Sequence, residues 1–369
     1  VNTDATHLLG CIQCGRCSGG CPVSVKSELN VRKLVYNCLD ASTTPLRPDE
    51  YGIWECTTCA TCNLRCPKNV RPADLVVQLR CQQIESGRVS TNIQQALEST
   101  YLQGNPWTRA RERRMDWATG LDIPKLAPNE RTDVLLFVCC TSAYDARCQQ
   151  VARSLVTLLR KSGIEFAIIG EQESCCCSEQ KWMGEQGMFE EIAHANFELF
   201  RERRMERIVT ISPHCYNAFV NDYPALNVPI LHYTQLLTEL LSRGRLAGLK
   251  PLQETVTYHD PCYLGKRNSI YEPPRELLRA LAGDRFVELD RSRETSLCCE
   301  GGGGRMWFES DTKGRLAETR IQDAIDKSAA IIASACPFCL LTLEDATKTT
   351  NSEERIRVRD IAELLAEAI

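Results

Sequence analysis

The sequence has no long hydrophobic run. No stretch approaches the roughly 18–20 consecutive apolar residues that a membrane-spanning helix needs, so a membrane role requires a partner. A surplus of positive charge is also missing. The 44 Lys and Arg residues stand against 48 Asp and Glu, leaving a net charge of −4, and a nucleic-acid role has no electrostatic support. No secretory leader is visible, because the first residues are polar and cysteine motifs follow at once. The glycine run at 301–304 lacks the Lys-Ser/Thr ending of a phosphate-binding loop and the GxGxxG spacing after a strand. What remains is ordinary globular usage, 43% apolar and 25% charged over 369 residues, enough for two or three domains.

Cysteine is what the chain has in excess, with 22 residues. Most sit in CxxC or CC units beside Pro and Gly. Such spacing brings thiols to one centre and suits metal better than disulfides between distant elements. We expect a reducing, cytoplasmic and low-oxygen setting.

Residues 1–90 make the first expected domain. Cys11, Cys14, Cys17 and Cys21 precede Pro22, and Cys56, Cys59, Cys62 and Cys66 precede Pro67. Both runs read C-x2-C-x2-C-x3-C-P, the two-cluster ferredoxin pattern, in which the fourth cysteine of each run ligates the other cluster. One cubane [4Fe–4S] cluster is therefore assigned to Cys11, Cys14, Cys17 and Cys66, and the other to Cys56, Cys59, Cys62 and Cys21. A structural zinc site would use two CxxC halves instead. Val31, Leu34, Val35, Cys38 and Leu39 recur at helical spacing. Cys38 thus reads as buried filler, as does Cys81 in the helix after Arg71-Pro72. Residues 91–131 read as a helical connector. Its basic run, Arg109, Arg111, Arg113 and Arg114, is expected on a solvated helix face, with docking of an acidic redox partner as the alternative.

From Thr132 onward strands alternate with helices. Strands are expected at 134–138, 166–169, 208–211 and 229–233, then at 256–259, 286–289 and 330–333, with a closing strand–helix pair at 356–369. Helices are expected at 152–159, 189–200, 234–241, 276–281, 316–325 and 340–346. This alternation implies parallel sheets covered by helices. The expected fold class is α/β, a mainly helical two-cluster ferredoxin-type domain followed by a duplicated α/β domain. The repeat period is about 120 residues, dividing that domain into modules at 132–250 and 251–369. The duplication aligns Cys140 with Cys262, Cys175-Cys176 with Cys298-Cys299, and Ser212-Pro213-His214-Cys215 with Cys336-Pro337-Phe338-Cys339. Each set falls at strand carboxyl ends, where open α/β sheets place ligands.

In the second module five thiols, Cys262, Cys298, Cys299, Cys336 and Cys339, arrive on three loops. Five is one too many for a cubane with one cysteine per iron, which points to an unusual cluster geometry. The first set is incomplete. Ser212 replaces one cysteine, leaving Cys140, Cys175, Cys176 and Cys215, with Cys139 as an alternative to Cys140. Gly301, Gly302 and Gly303 read as a cofactor-binding stretch that lets backbone approach the cluster closely. Arg305 is a candidate partner for an anionic group. His259 and His214 read as hydrogen-bond donors beside ligands, and His259 also as the proton source for a released thiolate. Cys148, in a helix, reads as packing.

The sequences HDPCYLG, CCEGGGGRMW and CPFC resemble the duplicated cysteine-rich module of heterodisulfide reductase catalytic subunits, and CIQCGRC and CTTCATC look like that enzyme's ferredoxin-type subunit. The resemblance implies a noncubane [4Fe–4S] cluster on Cys262, Cys298, Cys299, Cys336 and Cys339. It makes those cysteines and His259 the candidate catalytic set and implies reduction of a disulfide of two thiol coenzymes. A fourth iron–sulfur cluster in the first module stays open, because Ser212 stands where the family has cysteine and Cys177 where it often has glycine. The chain is also similar to iron–sulfur subunits of glycerol-3-phosphate, glycolate and lactate dehydrogenases and to a component of class II benzoyl-CoA reductase assemblies. That likeness implies an electron-transfer subunit without a substrate of its own. Either way the implied partners are a flavin-containing redox subunit or a membrane cytochrome.

Overall fold

The protein is described by a computed structural model, which covers residues 6–40, 51–310, 312 and 314–369. The two N-terminal cysteine runs fold alike. Gln13 and Gly15 in one run, and Thr58 and Ala60 in the other, take φ values of 55°, 78°, 50° and 62°. These left-handed turns coil each run tightly before a short helix, α1 (Arg16–Gly20) or α3 (Thr61–Arg65). Outside them lie α2 (Val31–Leu39) and α4 (Pro72–Glu85). Asn30 starts α2 by accepting a 3.0 Å bond from the Lys33 amide, the usual service of an N-cap. Leu34, Val35 and Cys38 of α2 bury against Leu75, Val76 and Leu79 of α4. The burial pushes the Cys38 thiol up to about 11, as suits a packing residue.

The connector opens with α5 (Thr91–Gln103), which ends at Gly104 with φ 67°. It continues through a 3-10 turn at Arg111–Ala118.

Two modules of the same topology follow. The first holds β1 (Arg131–Phe137), α6 (Cys140–Tyr144), α7 (Ala146–Lys161), β2 (Phe166–Ala167), α8 (Ser178–Met183), α9 (Gln186–Arg201), β3 (Arg204–Thr210), α10 (Pro213–Asn221), β4 (Ile230–His232) and α11 (Tyr233–Ser242). The second holds β5 (Val256–Tyr258), α12 (Gly265–Asn268), α13 (Glu272–Ala282), β6 (Phe286–Val287), α14 (Leu316–Asp326), β7 (Ile331–Ser334), α15 (Pro337–Thr349), β8 (Arg357–Asp360) and α16 (Ile361–Ala368). Their sheets run β2-β1-β3-β4 and β6-β5-β7-β8, and every pair is parallel.

The strand β1 explains the layering. Val134 and Leu136 point into a core shared with the second module, whereas Leu135 and Phe137 point into a separate core with Phe200 and Phe219. Alternation with period two puts successive side chains on opposite faces. In the shared core α7 packs on α16, and α11 on α13. Leu155, Leu158 and Leu159 of α7 are fully buried there, each contributing about 1.5–3 kcal/mol of hydrophobic stabilisation.

Several boundaries differ from the sequence expectation for local reasons. The strands expected at 166–169 and 286–289 end after two residues. Ile168 then makes only a single bridge to Lys125 of the connector. The helix expected at 152–159 starts earlier, at Ala146, because Asp145 caps it, accepting from the Arg147 and Cys148 amides at 2.9 and 3.0 Å. The basic run is not all solvated. Arg114 is buried and paired with buried Glu173, and Arg111 donates to Ser174 Oγ at 3.0 Å.

Candidate metal centres

The turns of the N-terminal domain gather the eight cysteines of its two runs into two groups. Cys11, Cys14, Cys17 and Cys66 line one small pocket, so the fourth cysteine of the second run joins the first three of the first run. Cys21 lies with Cys56, Cys59 and Cys62. Thiols clustered in fours around a space, without a disulfide between them among the described residues, are the donor set a four-iron cluster requires.

The second-module thiols form a chain of neighbours. Cys262 meets Cys298, Cys298 meets Cys299, Cys299 Sγ lies 3.2 Å from Cys339 Sγ, and Cys339 meets Cys336. They converge because β5 and β7 end together and α15 begins at Cys336-Pro337, a proline-started helix. All five residues are 0–8% exposed. Burial raises the Cys336 thiol, but hydrogen bonds from Cys339 and His214 outweigh it and bring it down to about 5.

The chain of thiols continues into the N-terminal domain, because the Cys298 side chain also contacts Cys59. That contact and burial together raise the Cys59 thiol. Around it the two parts interlock. Tyr263 OH lies 2.7 Å from Thr58 Oγ1, and buried Lys266 donates to Thr61 Oγ1 at 2.8 Å and to Ser296 O at 2.6 Å.

The glycine run serves the same junction. A Cβ on Gly302 would lie 3.0 Å from Thr57 O, and one on Gly303 would lie 2.7 Å from Cys56 O. Gly303 and Gly304 also have φ of 67° and 80°. The backbone that the run approaches most closely is thus the ferredoxin-type loop. Arg305 pairs with Glu55 of that domain at 2.7 Å, so its charge is occupied there.

This chain matches the cysteine-rich domain (CCG) twice, at residues 134–220 and 256–344, and the 4Fe-4S dicluster domain at residues 7–70. It belongs to the family that joins a dicluster domain to two cysteine-rich domains. It is 38% identical, over 87% of its own length and 47% of the relative's, to the probable iron-sulfur-binding oxidoreductase FadF of Bacillus subtilis. It is 29% identical to the EtfAB:quinone oxidoreductase of Syntrophomonas wolfei over 99% of this chain and 59% of that one. Against a subunit of the dihydromethanophenazine:CoB--CoM heterodisulfide reductase of Methanosarcina barkeri the identity is also 29%, over 100% of this chain and 96% of that one. The chain thus spans about half of the first relative and about three fifths of the second. A crystal structure of a hypothetical protein from Helicobacter pylori shares the fold, with TM-score 0.55 and 9% identity over 93% of this chain and 68% of that one. No helix among the described residues is long and apolar enough to cross a membrane.

In the first cysteine-rich domain Cys140, Cys175, Cys176 and Cys215 are all buried and adjacent, with Cys140 Sγ 3.7 Å from Cys175 Sγ. Cys177 sits beside Cys175, at φ 55°, and its counterpart Glu300 has φ 69°. The matching left-handed conformation supports the alignment of the two domains. Cys148 packs in the shared core, and Cys81 is half-buried on α4.

His259 lies beside Cys299 and Cys339, the three ligand atoms within 4.8 Å of one another. Burial, and then the Arg320 charge, lower its imidazole to about 3. Arg320 Nε donates to its Nδ1 at 3.3 Å. This environment holds the ring neutral, which suits a hydrogen-bond partner rather than a proton source. His214 is the opposite case. Burial opposes its charge, yet Glu179 and then Cys336 hold it well above the usual histidine range.

Sequence reasoning missed three participants. Arg80 donates to Ile53 O, Cys56 O, Trp182 O and Gly303 O at 2.7–2.9 Å, tying the dicluster domain to both cysteine-rich domains. Glu173 accepts from the Val138 and Cys139 amides at 3.1 and 3.2 Å and fixes the strand end that carries the first thiols. Glu179 links the two cysteine-rich domains through His214 and the Gly304 amide. Arg80 belongs to no motif, Glu173 and Glu179 flank the Cys175-Cys176 pair in ESCCCSEQ, and each acts through partners far away in sequence.

Proposed function

We propose that this chain is the iron–sulfur electron-transfer part of a larger oxidoreductase, exchanging electrons between a partner protein and a buried centre in the second cysteine-rich domain. The contact between Cys59 and Cys298 carries this reading. It joins the dicluster thiols to a second-module set that is buried throughout. Cys11, Cys14, Cys17 and Cys66 would hold one cubane cluster, and Cys21, Cys56, Cys59 and Cys62 the other. Cys262, Cys298, Cys299, Cys336 and Cys339 would hold a noncubane four-iron cluster. Bound there, such clusters supply one-electron redox chemistry over a wide span of potentials.

The chain's own residues define the two ends. Cys14 is exposed, and Leu9 and Ile12 near it are 76% and 59% exposed, an accessible apolar edge for a partner. At the other end Tyr263, Lys266 and Arg80 exclude water and lock the domains in register. A flavin-containing subunit fits the donor side, and a relative's name sets EtfAB against a quinone. A membrane cytochrome is the other partner class.

A second reading has its own support. The five-thiol set is complete, and the heterodisulfide reductase chain of Methanosarcina barkeri aligns over nearly its whole length. In that reading a disulfide of thiol coenzymes is reduced at the second-module centre. Clefts of about 410 and 650 Å³ come near it, lined by Glu300 and Thr342 in one and by Leu297 in the other. Their linings stop short of the five thiols.

Anaerobically reconstituted chain, reduced viologen and a panel of thiol-coenzyme disulfides separate the two. Electron transfer alone predicts reduction of the centres, read by electron paramagnetic resonance, with no disulfide-dependent oxidation of the dye. Sustained dye oxidation with any disulfide overturns it in favour of the reductase. In either case Cys299→Ala loses the second-module centre, about four irons per chain, and leaves the two cubanes reducible. Full iron content in that variant rejects the ligand assignment.

A further inference from the structure

The first cysteine-rich domain lacks a thiol at Ser212, yet its thiols still make an uninterrupted set. Cys140 meets Cys175, Cys175 meets Cys176, and Cys176 meets Cys215. In the second domain the equivalent series is Cys262, Cys298, Cys299 and Cys339, and it ends on Cys336. The counterpart of Cys336 is Ser212, whose hydroxyl is turned to the backbone. It caps α10 by accepting from the His214 amide at 3.2 Å. Cys336, at the equivalent cap position, makes no such bond.

The place after Cys215 is taken by another residue. Cys139 contacts Cys215 on one side and Cys140 on the other. The result is a closed ring of five thiols, Cys139–Cys140–Cys175–Cys176–Cys215, all 1–6% exposed. Two features aim Cys139 inward. Its φ of 75° is a conformation that non-glycine residues rarely hold without a reason, and its amide is fixed by buried Glu173. The second domain has Pro261 at this position, which offers no thiol.

We propose that the first cysteine-rich domain also binds a four-iron cluster of the five-thiolate class, with Cys139 in the role of the cysteine that Ser212 replaces. Cys139 and Cys140 then act together rather than as alternatives, and Ser212 is a helix cap rather than a ligand. Cys177, which bonds Cys175 and lies near Cys176 and Cys140 without bonding either, stays outside. The inference rests on reading the chain as an iron–sulfur protein and is independent of whether it relays electrons or reduces a disulfide.

The test is a count. Mössbauer spectroscopy with iron and sulfide analysis of the anaerobic wild-type chain should give four four-iron centres, and three overturn the proposal. Cys139→Ala should lose about four irons and four sulfides per chain while keeping the second-module signature, which serves as the fold control. Adding Ser212→Cys to Cys139→Ala should restore them, because it puts a thiol where the second domain has Cys336. Full iron content in Cys139→Ala, or a folded double variant that regains none, sinks the assignment. The disulfide assay is read separately, so each conclusion can fail without the other.

Discussion

His214 Nδ1 lies 2.7 Å from Glu179 Oε1, and the same imidazole reaches across the domain boundary to Cys336. His214 occupies the first-domain position equivalent to Phe338, and the two rings pack with centroids 4.7 Å apart. The duplicated position is therefore apolar in one copy and a charged hydrogen-bond donor in the other. Only the second-module thiols receive that donor.

His214→Phe makes the two copies alike and removes the bond to Cys336. A donor to a cluster thiolate favours the reduced, more negative state, so the reduction potential of the second-module centre should fall. A charge-assisted bond contributes about 1.5–3 kcal/mol, on the order of 60–120 mV for one electron. The variant also leaves Glu179 buried without its partner. Adding Glu179→Gln should recover thermal stability but leave the potential low. A redox titration with an unchanged potential in both variants contradicts the role.

Arg80→Met tests the three-way junction. The guanidinium is fully buried and serves four carbonyls on three domains. Removing it strands those acceptors, at a cost of roughly 3–5 kcal/mol. Urea unfolding at neutral pH should register a loss of that size. A loss under about 1 kcal/mol would mean that water replaces the arginine and that the junction does not depend on it.

Asp360 gives a pH signature. Its carboxyl is fully buried at the start of α16, takes a 2.7 Å bond from Tyr233 OH, and is raised by burial to about 7. An unfolded aspartate titrates near about 3.9. The folded value is the higher, so the contribution is fully present below about pH 4 and is lost as pH rises through about 7. Asp360→Asn cannot ionise and should gain stability relative to wild type between pH 5 and pH 8. Melting temperatures at those two values check it, and a constant difference between the proteins would refute the shift.

Much of this architecture was legible in the chain itself. Hydrophobic periodicity marked the strands at 134–138 and 208–211, because a strand covered on both faces reads as a continuous apolar run. Boundaries were less legible where one side chain decides them, as Asp145 does for α7. The basic run misled in part. Arg114 looks like its exposed neighbours in sequence, and only the buried Glu173 beside it reveals why it lies inside.

The sequence by itself determined the thiol inventory, the pairing logic of the two ferredoxin runs and the duplication, because turn-forming spacing and a repeat period are local properties of a chain. Tertiary structure decided which thiols are neighbours. Cys59 and Cys298 are 239 positions apart in the numbering, and no spacing rule connects them. Cys139 and Cys140 differ by one position, yet only the backbone twist at Cys139 turns both toward one ring. Distances between elements depend on how sheets and helices pack, and packing is a property of the folded whole.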